Sequence, residues 1–151
     1  MSDEEEYPAE EEAAPEEEEA PKEVEALVYK SADFKTEKHV PVIEAPASTK
    51  KNTLITIKVA VGKQVPHPNT SVHHIRWIRV YFVPEGKAPI EIGSADFTSH
   101  GESADGPDKG GVYTEPQAIV AFKTDKPGKI VATSYCNIHG LWKSEQSLKV
   151  S

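Results

Sequence analysis

Residues 73–83, HHIRWIRVYFV, interleave aromatic and β-branched side chains with basic ones. Such side chains lose χ1 freedom in a helix and pack well on a pleated surface, so the run is expected to be a strand. Residues 53–59, TLITIKV, make the same point by periodicity. Ile55, Ile57 and Val59 share one face while Thr56 and Lys58 take the other, the alternation of a half-buried strand. Further out, 117–123 (QAIVAFK) and 129–135 (KIVATSY) repeat the composition, and Asp125-Lys126-Pro127-Gly128 between them is a turn signal. Shorter strands are expected at 24–30, 88–93 and 140–150. About seven strands and no convincing helix predict an all-β, antiparallel sandwich. Residues 94–116, rich in Gly, Asp and Ser, are expected to form a surface loop.

The chain has 151 residues, 37% of them hydrophobic, enough for one domain with a real core. No apolar run approaches the roughly 20 residues of a membrane helix. The opening MSDEEEYPAEEE lacks the basic flank of a signal peptide. A cytoplasmic protein with no membrane or nucleic-acid partner is therefore expected. The net charge of -8 is concentrated at one end: residues 1–20 hold 11 of the 25 acidic residues and no base, leaving 14 acids against 17 bases, near +3, for the remainder. Residues 1–22 carry almost no large apolar side chain and are expected to be a disordered acidic tail, with 23–151 as the folded domain.

Cys136 is the only cysteine, which excludes an intramolecular disulfide and a four-cysteine metal site within one chain. It opens the turn Cys136-Asn137-Ile138-His139, and a C-x-x-H turn can bring a thiolate and an imidazole to one metal. The other histidines are His39, His67, His73, His74 and His100. His67 and His73 would stand about 20 Å apart on a straight strand, and they can share a metal only if Pro68-Asn69-Thr70-Ser71 doubles the chain back. His73 and His74, read as strand neighbours, point to opposite faces, and parity cannot choose between them. Thr36-Glu37-Lys38-His39-Val40-Pro41 gathers a carboxylate, an ammonium and an imidazole in a loop.

Taken together, EKHVP at 37–41, HPNTSVHHIRWIRVYF at 67–82, FTSHGESADGP at 97–107, VYTEP at 112–116 and SYCNIHGLW at 134–142 resemble superoxide reductases of the one-iron, neelaredoxin-like type. The resemblance implies an immunoglobulin-like, seven-stranded sandwich that reduces superoxide to hydrogen peroxide at one non-haem iron per chain. The implied ligands are His39, His67, His73 and His139 in a plane and Cys136 on the axis. Glu37 corresponds to a carboxylate that can take the sixth position of the oxidised iron, and Lys38 to a lysine beside the open site. A rubredoxin electron donor and a homotetramer are also implied. The four-cysteine N-terminal domain of two-domain members has no counterpart here.

Imidazole and thiolate ligands suit an iron that alternates between two oxidation states, and five protein ligands leave one position open. Lys38 would attract an anion. A cupredoxin-like copper carrier is the competing sandwich, but such sites normally add an axial methionine, and the only methionine is Met1. A structural zinc site would need tetrahedral closure, which five ligands oppose.

Overall fold

The computed structural model describes residues 9, 13–15 and 28–151. The expected tail 1–22 lies outside the described residues apart from 9 and 13–15, as does the expected strand 24–30 apart from its last three residues. Among the described residues there are eight strands and no helix: β1 (Pro41–Glu44), β2 (Ser48–Thr49), β3 (Ile55–Val61), β4 (Ile75–Pro84), β5 (Ile90–Asp96), β6 (Gln117–Phe122), β7 (Gly128–Cys136) and β8 (Gly140–Val150). They form a three-stranded sheet in the order β1-β3-β6 and a five-stranded sheet in the order β2-β8-β7-β4-β5. Every pairing is antiparallel except the two-residue contact of β2 with β8.

The period-2 patterns become the two inner faces. Ile55, Ile57, Val59 and Val61 of β3 are buried against Ile78, Val80 and Phe82 of β4, with Ile130 and Ala132 of β7 and Ala118 and Val120 of β6 filling the space between. Burial of this apolar surface is the main term favouring the fold. The expected all-β sandwich is thus formed, with two additions. β1 and β2 span four and two residues, too few to carry a periodic signal, and they are held by pairing with β3 and β8.

The strand read at 73–83 begins only at Ile75. Before it, the backbone finds local partners: Thr70 N–H donates to His73 O at 3.0 Å, and His73 N–H donates to the Thr70 hydroxyl at 3.1 Å. Asn137 Oδ1 accepts from His74 N–H at 2.9 Å. These bonds compete with the ladder and stop it short. At the other terminus, Lys30 makes a single bridge to Trp142, outside any strand.

Register gathers four chain segments at one end of the sandwich. Pro41 at the start of β1 lies opposite Val61 at the end of β3, and Ile75 at the start of β4 lies opposite Cys136 at the end of β7. The sheets are tied across this end and along β1: the Ser134 hydroxyl donates to His39 O at 3.2 Å, and the Ser144 hydroxyl to Pro41 O at 2.6 Å. After β3 the chain must turn sharply back. Gly62 does this at φ 81°, and a Cβ there would lie 2.7 Å from the backbone nitrogen of His67. Glycine is required both for the left-handed conformation and for the close approach.

Gly62→Ala is expected to destabilise the fold by about 1–3 kcal/mol, the usual cost of such backbone strain, with the His67 ring displaced. Urea unfolding of the metal-free chain measures the first and ring NMR shifts the second; unchanged values for both would place the reversal elsewhere.

Candidate metal centre

The gathered end carries five electron-pair donors from three separate stretches of chain. His39 comes from the residues just before β1, His67 and His73 from the β3–β4 connection, and Cys136 and His139 from the end of β7 and the turn that follows. Cys136 is fully buried, His39 is nearly so, and His139 is exposed. The four imidazoles stand at the corners of a near-square. Ring centroids are 4.9 Å apart for His39–His67, 4.8 Å for His67–His73, 5.0 Å for His73–His139 and 4.6 Å for His139–His39, with 6.3 Å across the His39–His73 diagonal.

Outer hydrogen bonds decide which nitrogen of two rings faces inward. His39 Nδ1–H donates to Glu37 Oε1 at 2.5 Å, and His67 Nδ1–H donates to Pro68 O at 2.6 Å. Both rings therefore turn Nε2 to the interior, and His67 Nε2 is buried with no hydrogen-bond partner at all. His139 Nδ1 lies 3.0 Å from His39 Nε2, 3.2 Å from His73 Nε2 and 3.8 Å from the Cys136 sulfur. One imidazole nitrogen offers one proton or one lone pair. It cannot satisfy three such neighbours, so the cluster is a set of converging lone pairs that a cation would satisfy. The donor atoms of His39, His73, Cys136 and His139 all lie within 4.8 Å of one another. His67 stands just outside that tightest group and completes the square.

Electrostatics hold the rings in the deprotonated form a metal needs. Burial is the largest influence on His39, His67 and His73, and lowers all three pKa values, that of His67 to about 4. Neighbouring imidazoles and the Lys38 ammonium push His67 and His73 the same way, while Glu37 partly opposes them at His39. Burial works to raise the Glu37 carboxyl's pKa, but the hydrogen bonds from His39 outweigh it and the net shift is downward. Lys38 is half-buried and close enough to act on three of the rings. Glu37 sits on the outer side of His39 rather than within the square.

The five residues expected to act together do converge. His74, the neighbour that parity could not separate from His73, turns away and stacks on His100 at 3.5 Å with the rings 5° from parallel. Three supporting residues escaped the sequence reading. The Trp142 indole stacks on His39 at 5.0 Å. Asn137 ties the C-x-x-H turn to the His73 loop by donating to Val72 O at 2.9 Å and accepting from His74 N–H. The third, Asn69, donates to Thr114 O at 3.0 Å. Trp142 and Asn137 lie within 134–142, but nothing in their spacing marks them as partners of residues about 65 to 100 positions away. A surface hollow bordered by Asn52, Pro84 and Lys126 lies at the opposite end of β4 from this cluster. At the cluster itself, His139 is exposed while His39 and Cys136 are buried.

Residues 31–145 match the family model described as Desulfoferrodoxin. The chain is 53% identical over 121 residues to the superoxide reductase of Pyrococcus furiosus, covering 80% of this chain and 95% of that one. It is 49% identical over 122 residues to neelaredoxin of Megalodesulfovibrio gigas, covering 80% and 94%. Among solved structures, superoxide reductase (neelaredoxin) from Archaeoglobus fulgidus in the reduced form superposes with a TM-score of 0.74 at 53% identity, covering 80% of this chain and 98% of that one.

Lowered histidine pKa values carry a stability consequence for the metal-free chain. Unfolded imidazoles take up protons near the ordinary value of about 6.5, whereas folded His67 resists until about 4. Acidification therefore favours the unfolded state, and stability is lost as the pH falls from about 6.5 towards 4. Urea midpoints measured across this range are expected to fall less steeply for His67→Gln than for the unaltered chain; identical slopes would contradict a neutral, desolvated His67.

Proposed function

The chain belongs to the desulfoferrodoxin family, and from that membership and its square of imidazoles above a buried thiol we propose that it is a superoxide reductase working at one iron per chain. The observation that carries the reading is the convergence of His39, His67, His73, His139 and Cys136, with an orphaned buried Nε2 on His67, at the end of the sandwich. In this reading His39, His67 and His73 hold the iron through Nε2, His139 through Nδ1 and Cys136 through sulfur. The donor set fits iron better than its rivals. Four imidazoles and one thiolate exceed the tetrahedral closure of a structural zinc site, and the described residues bring no methionine to the cluster for a copper carrier.

When bound, the iron would supply a one-electron couple, with Cys136 as the residue that would tune its potential. The protein supplies the rest. Superoxide takes up one electron and two protons to become hydrogen peroxide, and an anion must first reach the open face. Lys38, whose charge is already felt at His39, His67 and His73, raises the local concentration of that anion and orders water that can deliver protons. Glu37 fixes the tautomer and plane of His39 through the 2.5 Å bond, the role that carboxylates play behind metal-bound histidines. It is also the only carboxylate hydrogen-bonded to a ring of the square among the described residues, and in this reading it would be the group to reach the oxidised iron. The Trp142 ring, itself buried, stacks on one face of His39 and restrains its plane.

The one-electron donor is read as rubredoxin and the assembly as a homotetramer, both supported by the family resemblance, and the compartment is read as the cytoplasm. No helix among the described residues is long and apolar enough to cross a membrane. Residues 23–151 are read as the reductase domain and 1–22 as an acidic appendage.

Stopped-flow mixing with superoxide tests the reading. The iron-loaded, reduced chain is expected to consume superoxide without evolving dioxygen, and Lys38→Ala to slow the second-order rate by about tenfold, at the low end of electrostatic steering effects, with a flatter salt dependence. Stoichiometric dioxygen release would make the protein a dismutase, and an unchanged rate and salt dependence in Lys38→Ala would remove the steering role.

A further inference from the structure

The stretch 97–107, with its buried histidine, takes no part in the chemistry described above. His100 is 5% exposed and both ring nitrogens are engaged: Nε2 lies 2.8 Å from Phe97 O and Nδ1 lies 2.9 Å from Asn69 Oδ1. The orientation of the Asn69 amide is decided from its other side, where Nδ2–H donates to Thr114 O at 3.0 Å. Asn69 Oδ1 therefore faces His100 as an acceptor, and a donor at Nδ1 is what the pair requires.

Asn69 stands in the seven-residue span that runs from His67 to His73. The far end of that span is held by the same histidine, because the His74 ring lies flat on His100 while its own Nδ1–H donates to Thr70 O at 2.8 Å. A second tie from the 97–116 loop is exposed: Asp108 accepts from Ser71 N–H at 2.7 Å and from the Ser71 hydroxyl at 3.2 Å. The part-buried tie through Asn69 and the exposed one through Asp108 differ in weight, since a hydrogen bond less open to water is stronger and dearer to leave unmade.

We propose that His100 is a positioning residue which, through its hydrogen bond to Asn69, holds the loop that places His67 and His73 at adjacent corners of the square. The inference rests on the reading of those two imidazoles as iron ligands. His100 touches none of the five donors; it acts on the spacing of two of them. The neutral ring serves one of its two acceptors at a time. Burial is the largest influence on its charge and lowers its pKa, Phe97 O and Glu102 favour the proton, and His74 and Arg76 oppose it.

Two substitutions separate the ties. An asparagine at this position sets its amide nitrogen where the ring Nδ1 lies and keeps the bond to Asn69, while a glutamine amide reaches the place of Nε2 and keeps only the bond to Phe97 O. Iron release from the reduced chain to a ferrous chelator is expected to be about 10-fold faster or more in His100→Gln, the usual effect of losing support behind a metal ligand. The iron–thiolate band is expected to shift and broaden in that variant, and His100→Asn to stay close to the unaltered chain in both readouts. Asn69→Ala removes the same bond from the other side together with the bond to Thr114 O, and is expected to release iron at least as fast as His100→Gln. In the metal-free proteins, the ring resonances of His67 and His73 should broaden in the same order.

Equal behaviour of His100→Gln and His100→Asn, or an Asn69→Ala variant indistinguishable from the unaltered chain, would overturn the proposal. If instead the unaltered chain held no iron, the function reading would fall, and the metal-free ring resonances would still decide whether the Asn69 tie orders the loop.

Discussion

Four imidazole nitrogens and a cysteine sulfur are held so close that they cannot all be one another's hydrogen-bond partners, and this frustrated convergence governs the end of the sandwich on which it sits. His139 Nδ1 alone has three donor atoms within 3.8 Å, and His67 Nε2 has no partner. Left without a cation, such a site opposes folding, because buried lone pairs facing each other forgo the bonds they would make with water. Binding a metal converts that opposition into stabilisation, since only the folded chain presents the donors together.

The sandwich makes the convergence possible by register. Two antiparallel pairs, β1 with β3 and β4 with β7, bring four strand ends to one edge of the molecule. The buried isoleucines and valines between the sheets keep that edge in place. The donors themselves sit beyond the ladders, in segments whose backbone groups are satisfied by turns and side chains. Each is therefore held by a small set of identifiable bonds: Ser134 to the His39 carbonyl, Asn137 to the His73 loop, Pro68 to the His67 ring. This division explains how an exposed catalytic edge coexists with a rigid core. The core strands set where the donors begin, and the loop hydrogen bonds set where they point.

Much of this was legible in the chain, and the limits of legibility have physical causes. Alternation at Ile55, Ile57 and Val59 declares a half-buried strand because a strand's two faces meet different solvents. β1 and β2 are silent for the same reason, since four and two residues hold too few alternations. The choice of His73 over His74 was not available from parity because the ladder stops at Ile75. Contacts with Thr70 and Asn137, the latter more than 60 positions away, orient the two rings instead. The donor set as a whole entered through the family resemblance that five motifs carry, whereas the support behind it did not. Asn69 and His100 are 31 positions apart in irregular segments, and no periodicity links them.

X-ray absorption at the metal edge of the purified chain, compared with Cys136→Ser, tests the central claim most directly. About one iron per chain is expected, with a shell of nitrogen scatterers and a single sulfur that disappears with the substitution. Copper or zinc in stoichiometric amount, or an iron shell with no sulfur in the unaltered chain, would contradict it.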